Sequence, residues 1–353
     1  MRNHKKDYLS PVWYPVMTLV LLAAGIVCLG MGSEYIAPGE TLRILWHAVR
    51  GIAETDKDAA ANATIILSLR VPRVLCAGLI GASLSLCGAA MQGLLRNPLA
   101  DGGILGVSSG GALGAALAIV TGISIPGLPL SGNVGMAMVF SFGSLMIVLT
   151  MAYSMDRSLA THTIILTGVI YSMLASALLS LLMAFAGNKL QNVTFWTMGS
   201  LAGRRMNHVL IMLVAFVIFG GVLLGHAREL NHFALGEENA RRVGVPVRKV
   251  KLVILIAASA LIGVCVAVGG SIAFVGLIVP HMVRMITGPN HRKQMPAAVF
   301  AGAVFLMLTD LLSRSVLKNG ELPIGVVTSL IGAVTFAGIF RSSRKGGERR
   351  AGG

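Results

Sequence analysis

FALGEENARRVGVPVRK, residues 233–249, is a charged segment set between long apolar runs. It carries Glu237, Glu238, Arg241, Arg242, Arg248 and Lys249. Its local signals are those of a short helix with a defined start and stop. Gly236 can open it, and Glu237 and Glu238 then fall in the first turn, where the positive end of the peptide dipole favours carboxylates. Arg241 and Arg242 lie toward the other end, and Gly244 with Pro246 ends it. A solvated loop would need no such start and stop. Residues 232–247 therefore read as a docking helix, with Ala240 and Gly244, four residues apart, expected on one surface.

The flanking sequence has a membrane composition. Of 353 residues, 55% are hydrophobic and 12% charged, with mean hydropathy +0.79. Soluble domains carry roughly 25% charged residues. A span needs about 20 mostly apolar residues, and the pattern predicts ten, near 12–32, 65–95, 104–120, 134–155, 160–186, 207–225, 250–268, 273–287, 296–317 and 323–340. Strands of a membrane barrel would alternate polar and apolar residues, so the spans are helices and the fold class is all-α and polytopic. The apolar stretch after MRNHKK is long and shows no small-residue cleavage site, so it reads as a retained span. The chain reads as one transmembrane domain over 1–353, with basic tails at 1–10 and 341–353.

The formal net charge of +15 is distributed by topology. With the N-terminus inside, 19 of the 29 Lys and Arg residues fall on the cytoplasmic side, which obeys the positive-inside rule and places both termini in the cytoplasm of a multi-pass cell (inner) membrane protein. That pattern argues against a nucleic-acid partner and for membrane lipid. Cys28, Cys76, Cys87 and Cys265 all sit in apolar stretches without a CxxC partner and read as buried thiols. The eight histidines show no metal-ligand spacing, so no metal or cofactor is expected.

No GxxxxGK[ST] and no catalytic constellation is present, so the chain has no motor of its own and is not expected to be an enzyme. The apolar cores are nearly free of ionisable groups. Asp310 is the clearest exception, and Arg314 follows at i+4, where the two can neutralise each other. A stand-alone secondary transporter would keep an ionisable cluster at mid-membrane. Gly102, Gly106, Gly110 and Gly114 recur every four residues and predict one helix face for close packing. Arg70 and Arg73 flank Pro72 at the outer start of the second span. Proline suits a first helical turn, so both cations would sit at the unfavourable dipole end, at about 0.3–1 kcal/mol each. Two explanations stand: snorkelling toward phosphate headgroups, or a socket for acidic residues of a partner.

The motifs also carry a resemblance. ENARRVG resembles the E-A-A-x-x-x-G coupling loop of ABC importer permeases, with Asn239 in place of the central alanine. ALGEENARRVGVP (234–246) is similar to that segment in the permeases that import cobalamin, ferric siderophores and haem. SLRVPRVLCAGLIGASLSLCGAAMQGLLRNPLAD (68–101), FWTMGSL (195–201), GGSIAFVGLIVPHMVR (269–284), TDLLSR (309–314) and ELPIGVVTSLIGAVTF (321–336) match the same family. The chain departs from it at Gly102-Gly103. Segments 88–98 and 270–280 share a Gly…Gly-Leu…Pro pattern, consistent with two related halves.

The resemblance implies a permease subunit of a binding-protein-dependent ABC importer. Its partners would be a second permease subunit (a second copy or a paralogue), two cytoplasmic ATPase subunits and an extracytoplasmic substrate-binding protein. It implies ATPase coupling through Gly236, Glu237, Glu238, Ala240, Arg241 and Gly244, and binding-protein docking through Arg70, Arg73 and Arg314. It points to an inner gate at Asn97, Leu99, Thr161 and His162. The expected cargo is a metal chelate, ferric siderophore or haem, with cobalamin as the alternative.

Overall fold

The structure is a computed structural model that describes residues 9–10, 12–32, 34–52, 56–123, 132–317 and 320–351. Most of the basic N-terminal tail, and Gly352 and Gly353, lie outside them. Among the described residues all regular structure is helical. In chain order the helices are α1 (Trp13–Gly30), α2 (Pro38–Arg50), α3 (Lys57–Thr64), α4 (Val71–Leu95), α5 (Val107–Thr121), α6 (Gly132–Met155), α7 (Thr161–Ala184) and α8 (Leu190–Thr197). They continue with α9 (Met206–Ala215), α10 (Gly221–Gly225), α11 (Ala227–Phe233), α12 (Glu237–Arg242), α13 (Val247–Gly269), α14 (Val275–Thr287), α15 (His291–Ser315) and α16 (Ile324–Ala351).

The ten expected spans all appear. Seven helices are long and apolar enough to cross a bilayer, and Val107–Thr121, Val275–Thr287 and Ile324–Gly338 are shorter apolar helices. α16 then runs on to Ala351, through the basic residues expected to form a tail.

α4 is the central post. Of the 18 most apolar residues along Lys57–Leu95, 83% are buried inside the subunit, against 22% for α7. Its neighbours approach through glycines. A Cβ on Gly81 would overlap the Gly302 carbonyl of α15, and one on Gly88 would overlap the Gly276 carbonyl of α14. Without apolar solvent exclusion to drive helices together in lipid, such small-residue contacts let backbones meet and gain dispersion energy. The four-residue glycine repeat is only partly one face. Gly110 and Gly114 of α5 press on Ser144 and Met136 of α6, but Gly106 is left-handed and precedes the helix, while Gly102 meets Ile262 of α13. Segments 88–98 and 270–280 are not structural counterparts either. The first is helical to Leu95, whereas 270–273 lies outside any helix; their glycines, Gly88 and Gly276, meet face to face instead.

Irregular backbone beside short spans must find partners within the protein. Three of the stretches that carry the family resemblance do this together. Ser200 N–H donates to the Gly269 carbonyl (3.0 Å), Ile324 N–H to Gly199 (3.1 Å), and Gly325 N–H to Met198 (3.1 Å). Gly199 (φ 79°) and Gly270 (φ 74°) are left-handed, and a Cβ on Gly270 would stand 2.6 Å from the Trp196 carbonyl. Only glycine fits both the conformation and the gap.

Gly81→Leu should cost about 1–3 kcal/mol or more, because the obstructing atoms are backbone. Gly25→Ala, where a Cβ meets nothing within 4 Å, should stay within about 0.5 kcal/mol. Thermal melts of the detergent-solubilised variants check both; equal melting temperatures would contradict the close α4–α15 crossing.

Candidate functional site

The charged segment folds as its sequence predicts. α12 follows Gly236, whose φ of 108° is closed to other residues without strain, and Glu237 and Glu238 occupy its first turn. Gly244 (φ 86°) terminates it: Gly244 N–H donates to Arg241 (3.0 Å) and Val245 N–H to Ala240 (3.0 Å). This is the paired-bond stop in which a left-handed glycine satisfies the last carbonyls, with Pro246 just beyond. Asn239, in the alanine position of the motif, donates to the Leu235 carbonyl (2.8 Å).

One expectation changes. Ala240 does not share a surface with Gly244; it is 0% exposed and belongs to the subunit's own core. Gly244 lies beyond the helix end, so a spacing of four no longer keeps the two on one face. A Cβ on Gly244 would meet nothing within 4 Å. With Arg241, Val245, Leu252, Val253 and Ile256 it lines an open groove of about 760 Å³. Glu238 pairs with Arg242 (2.7 Å) on the exposed side, a surface pair worth at most about 1 kcal/mol.

Two polar anchors fasten the segment to the bundle. Near α11, Asn231 Oδ1 accepts from His291 N–H (2.8 Å) and lies 3.0 Å from His291 Nδ1, while Asn231 Nδ2 donates to Asn290 Oδ1 (2.9 Å). At α12, Glu237 meets the ammonium of Lys251 on α13 (2.6 Å), which also donates to the Leu159 carbonyl (3.0 Å). Thr161 Oγ1, in the first residue of α7, donates to the same Glu237 carboxylate (3.3 Å). The loop before α7 is shaped by Asp156, whose carboxylate accepts from the Ser158 hydroxyl and from the Ala160 and Ser158 amides. Those bonds hold its pKa below the ordinary carboxylate value.

The expected gate residues are thus divided. Thr161 is joined to α12 through Glu237, and His162 beside it is exposed. Asn97 Oδ1 accepts from Leu99 N–H (2.9 Å), a local turn after the left-handed Arg96 that leaves Leu99 exposed. Arg96 lies near Gly236, since a Cβ there would be 3.8 Å from its Nη1.

The three arginines expected to dock a partner are engaged inside the subunit. Pro72 is not in a first helical turn: Lys57–Leu95 is one continuous helix, with a π turn over Ile65–Arg70. That wider turn accommodates the proline, whose ring would otherwise press on the carbonyl four residues back. Arg70 is buried and donates to the Leu29 (2.8 Å), Gly30 (3.1 Å) and Glu34 carbonyls. Arg314 donates to the Cys28 carbonyl. Both cations therefore cap the C-terminus of α1, the favourable end of that dipole. Arg73 binds Asp310 through two nitrogens (2.9 Å) and Glu321 (2.7 Å). Arg314 stands 3.5 Å from Asp310, so the expected i+4 pair exists, but Arg73 is the nearer partner.

Sequence reading missed Lys251, Asn231 and His291 as functional candidates. Lys251 was counted as a topology charge. The available signal was register: it shares the buried stripe of Val247, Val250, Ile254, Leu255 and Ala258 on α13.

Among the described residues, seven spanning-length and three shorter apolar helices, with an exposed, glycine-bounded, charged helix between two of them, define a polytopic membrane protein. The family model of the FecCD transport family matches residues 20–342. An uncharacterised ABC transporter permease, YvrB of Bacillus subtilis, is 39% identical over 93% of this chain and 92% of its own length. The molybdate import permease MolB of Haemophilus influenzae is 36% identical, covering 94% and 96%. The vitamin B12 import permease BtuC of Citrobacter koseri is 33% identical, covering 94% and 95%. A chain solved in an inward-facing conformation of a metal-chelate-type ABC transporter superposes with TM-score 0.81 at 32% identity, over 94% of this chain and 100% of that one. The chain belongs to the FecCD transport family, as a permease of ABC importer type.

Arg73→Glu would gather three carboxylates where one arginine now binds two. Breaking a buried pair costs about 3–5 kcal/mol, so the yield of folded protein and its melting temperature should both fall. Glu321→Gln, on the half-exposed side, should cost about 1 kcal/mol or less. A wild-type melt for Arg73→Glu would show that the arginine stands free.

Proposed function

We propose that this permease imports a metal chelate, a ferric siderophore or haem, in an assembly with a second permease subunit, two cytoplasmic ATPases and an extracytoplasmic binding protein. What supports the cargo class is the likeness to a solved chain of an ABC transporter ascribed to the metal-chelate type, 32% identical over 94% of this chain. Cobalamin is the alternative that the BtuC relatives favour.

In this reading the whole chain works as one permease domain, with both termini and α12 on the cytoplasmic side. ATP-driven closure of the motor moves α12, and the pore between two permeases opens alternately to each side. The motor contacts Gly236, Glu238, Arg241 and Gly244 from outside, whereas Ala240 anchors the helix from within. Asn97, Leu99, Thr161 and His162 form the inner gate. Arg70, Arg73 and Arg314 support the docking face by bracing α1, α4 and α15, with Arg73 and Glu321 nearest its surface. A stand-alone secondary transporter is disfavoured because Arg70, Lys251, Asp310 and Arg314, buried charges among the described residues, all have partners.

Gly244→Leu places a side chain where the motor would close. Overpacking costs about 1–3 kcal/mol, roughly a 5- to 150-fold loss of association. Uptake should fail and the ATPase should be lost on purification, while Gly244→Asn, tolerant of left-handed backbone, retains more of both. A Gly244→Leu complex that keeps its ATPase and transports normally would refute the coupling assignment. For cargo, ATP-dependent uptake of a labelled ferric siderophore or haem into proteoliposomes is expected; uptake of cobalamin or molybdate alone would transfer the assignment to that cargo. Glu238→Cys should resist impermeant labelling from outside sealed cells, and strong labelling would invert the topology.

A further inference from the structure

Lys251 is among the largest fully buried side chains of the subunit, at 0% exposure, and no role in binding or topology requires a buried ammonium there. A charge taken out of water is retained only where partners compensate it. Its partners here come from two different elements. Glu237 belongs to α12, and the Leu159 carbonyl belongs to the turn that leads into α7. Thr161 closes a ring by donating from the first residue of α7 to the same carboxylate.

We propose that Lys251 is a positioning residue that links the coupling helix to α7, so that displacement of α12 is passed to the start of α7 through one ammonium. This rests on the reading of α12 as the motor's contact. The elements differ in the way such a link needs. α13, which carries Lys251, has 72% of its most apolar window buried, whereas α7 has only 22%. Within the subunit α13 is therefore the more enclosed element, whereas α7 packs on α5 and α6 and turns much of its apolar surface outward. The ion pair is short, with its ammonium buried and its carboxylate partly exposed. One Glu237 carboxylate oxygen holds both Lys251 and Thr161, so a displacement of α12 bears on both. The wiring joins a member of the expected coupling set, Glu237, to a member of the expected gate set, Thr161, through a residue belonging to neither.

The test uses the assembled importer, with its ATPase and binding protein, in proteoliposomes. Lys251→Met and, because a buried change can impair folding, the partly exposed Glu237→Gln are compared with wild type. Three quantities are read: ATPase retained on purification, cargo moved per ATP hydrolysed, and the nucleotide-dependent response of a spin label at His162→Cys. The expected result is normal retention of the ATPase by Lys251→Met and, in both variants, a fall of about tenfold in cargo per ATP and loss of the label's response. Combining the two substitutions should add little to either alone, because both remove the same link. An unchanged ratio with an unchanged label response, in either folded variant, overturns the proposal. So does a parallel fall in transport and hydrolysis with the ratio preserved, which marks a merely structural role. Failure of the underlying reading is distinguishable: an ATPase that binds wild type and Gly244→Leu equally well refutes α12 as the contact, whatever Lys251 does.

Discussion

The close crossing of α4 with α14 and α15 is the constraint on which the remaining architecture depends. In lipid, helices gain little from hiding apolar side chains, and association depends on close contact and on polar bonds between helices. Gly81 with Gly302 and Gly88 with Gly276 bring backbones together where side chains would hold them apart. Once α4 is fixed between these neighbours, its two ends become reference points. One end presents Arg70 and Arg73, and the other presents Arg96 and the turn at Asn97. The short helix α14 and the non-helical stretches around Gly199 and Gly270 are tolerated because the same packing surrounds them with donors and acceptors.

Charge follows the same logic at both ends. At one end of α4, Arg70 and Arg314 reach the last carbonyls of α1, and Arg73 and Arg314 share Asp310. Three arginines, one carboxylate and the carbonyl end of α1 hold one another and join α1, α4 and α15. At the other end, Lys251 serves Glu237 and Leu159, and Asn231 serves Asn290 and His291. The segment around α12 is thus fastened at two points and by Ala240, yet exposes Glu238, Arg241, Arg242 and Gly244. A short helix held this way can be pushed from outside without unravelling, which suits a part that receives force.

Legibility varied with the range of the interaction. The boundaries of α12 were readable because first-turn carboxylates, a left-handed glycine and a following proline all fall between Glu237 and Pro246. The ten spans were readable because apolar length has one economical solution in a bilayer. The helix containing Pro72 was misread as beginning there, since a π turn that absorbs a proline carries no compositional mark. The facing of Ala240 was misread because spacing defines a face only while the helix lasts, and Gly244 lies past its end.

The amino-acid sequence by itself determined the class: an all-helical membrane chain, its hydropathy, its charge asymmetry, and the motifs that place it in the FecCD transport family. Those properties are local or additive along the chain. Only the tertiary structure decided the partners of the charged side chains, because distance in sequence does not encode them. Arg73 and Asp310 are 237 residues apart, and Lys251 and Leu159 are 92 apart. An arginine that reads as a free hand toward a partner becomes a helix cap when another helix ends beside it. A lysine that reads as a topology marker becomes a buried link when its register turns it inward.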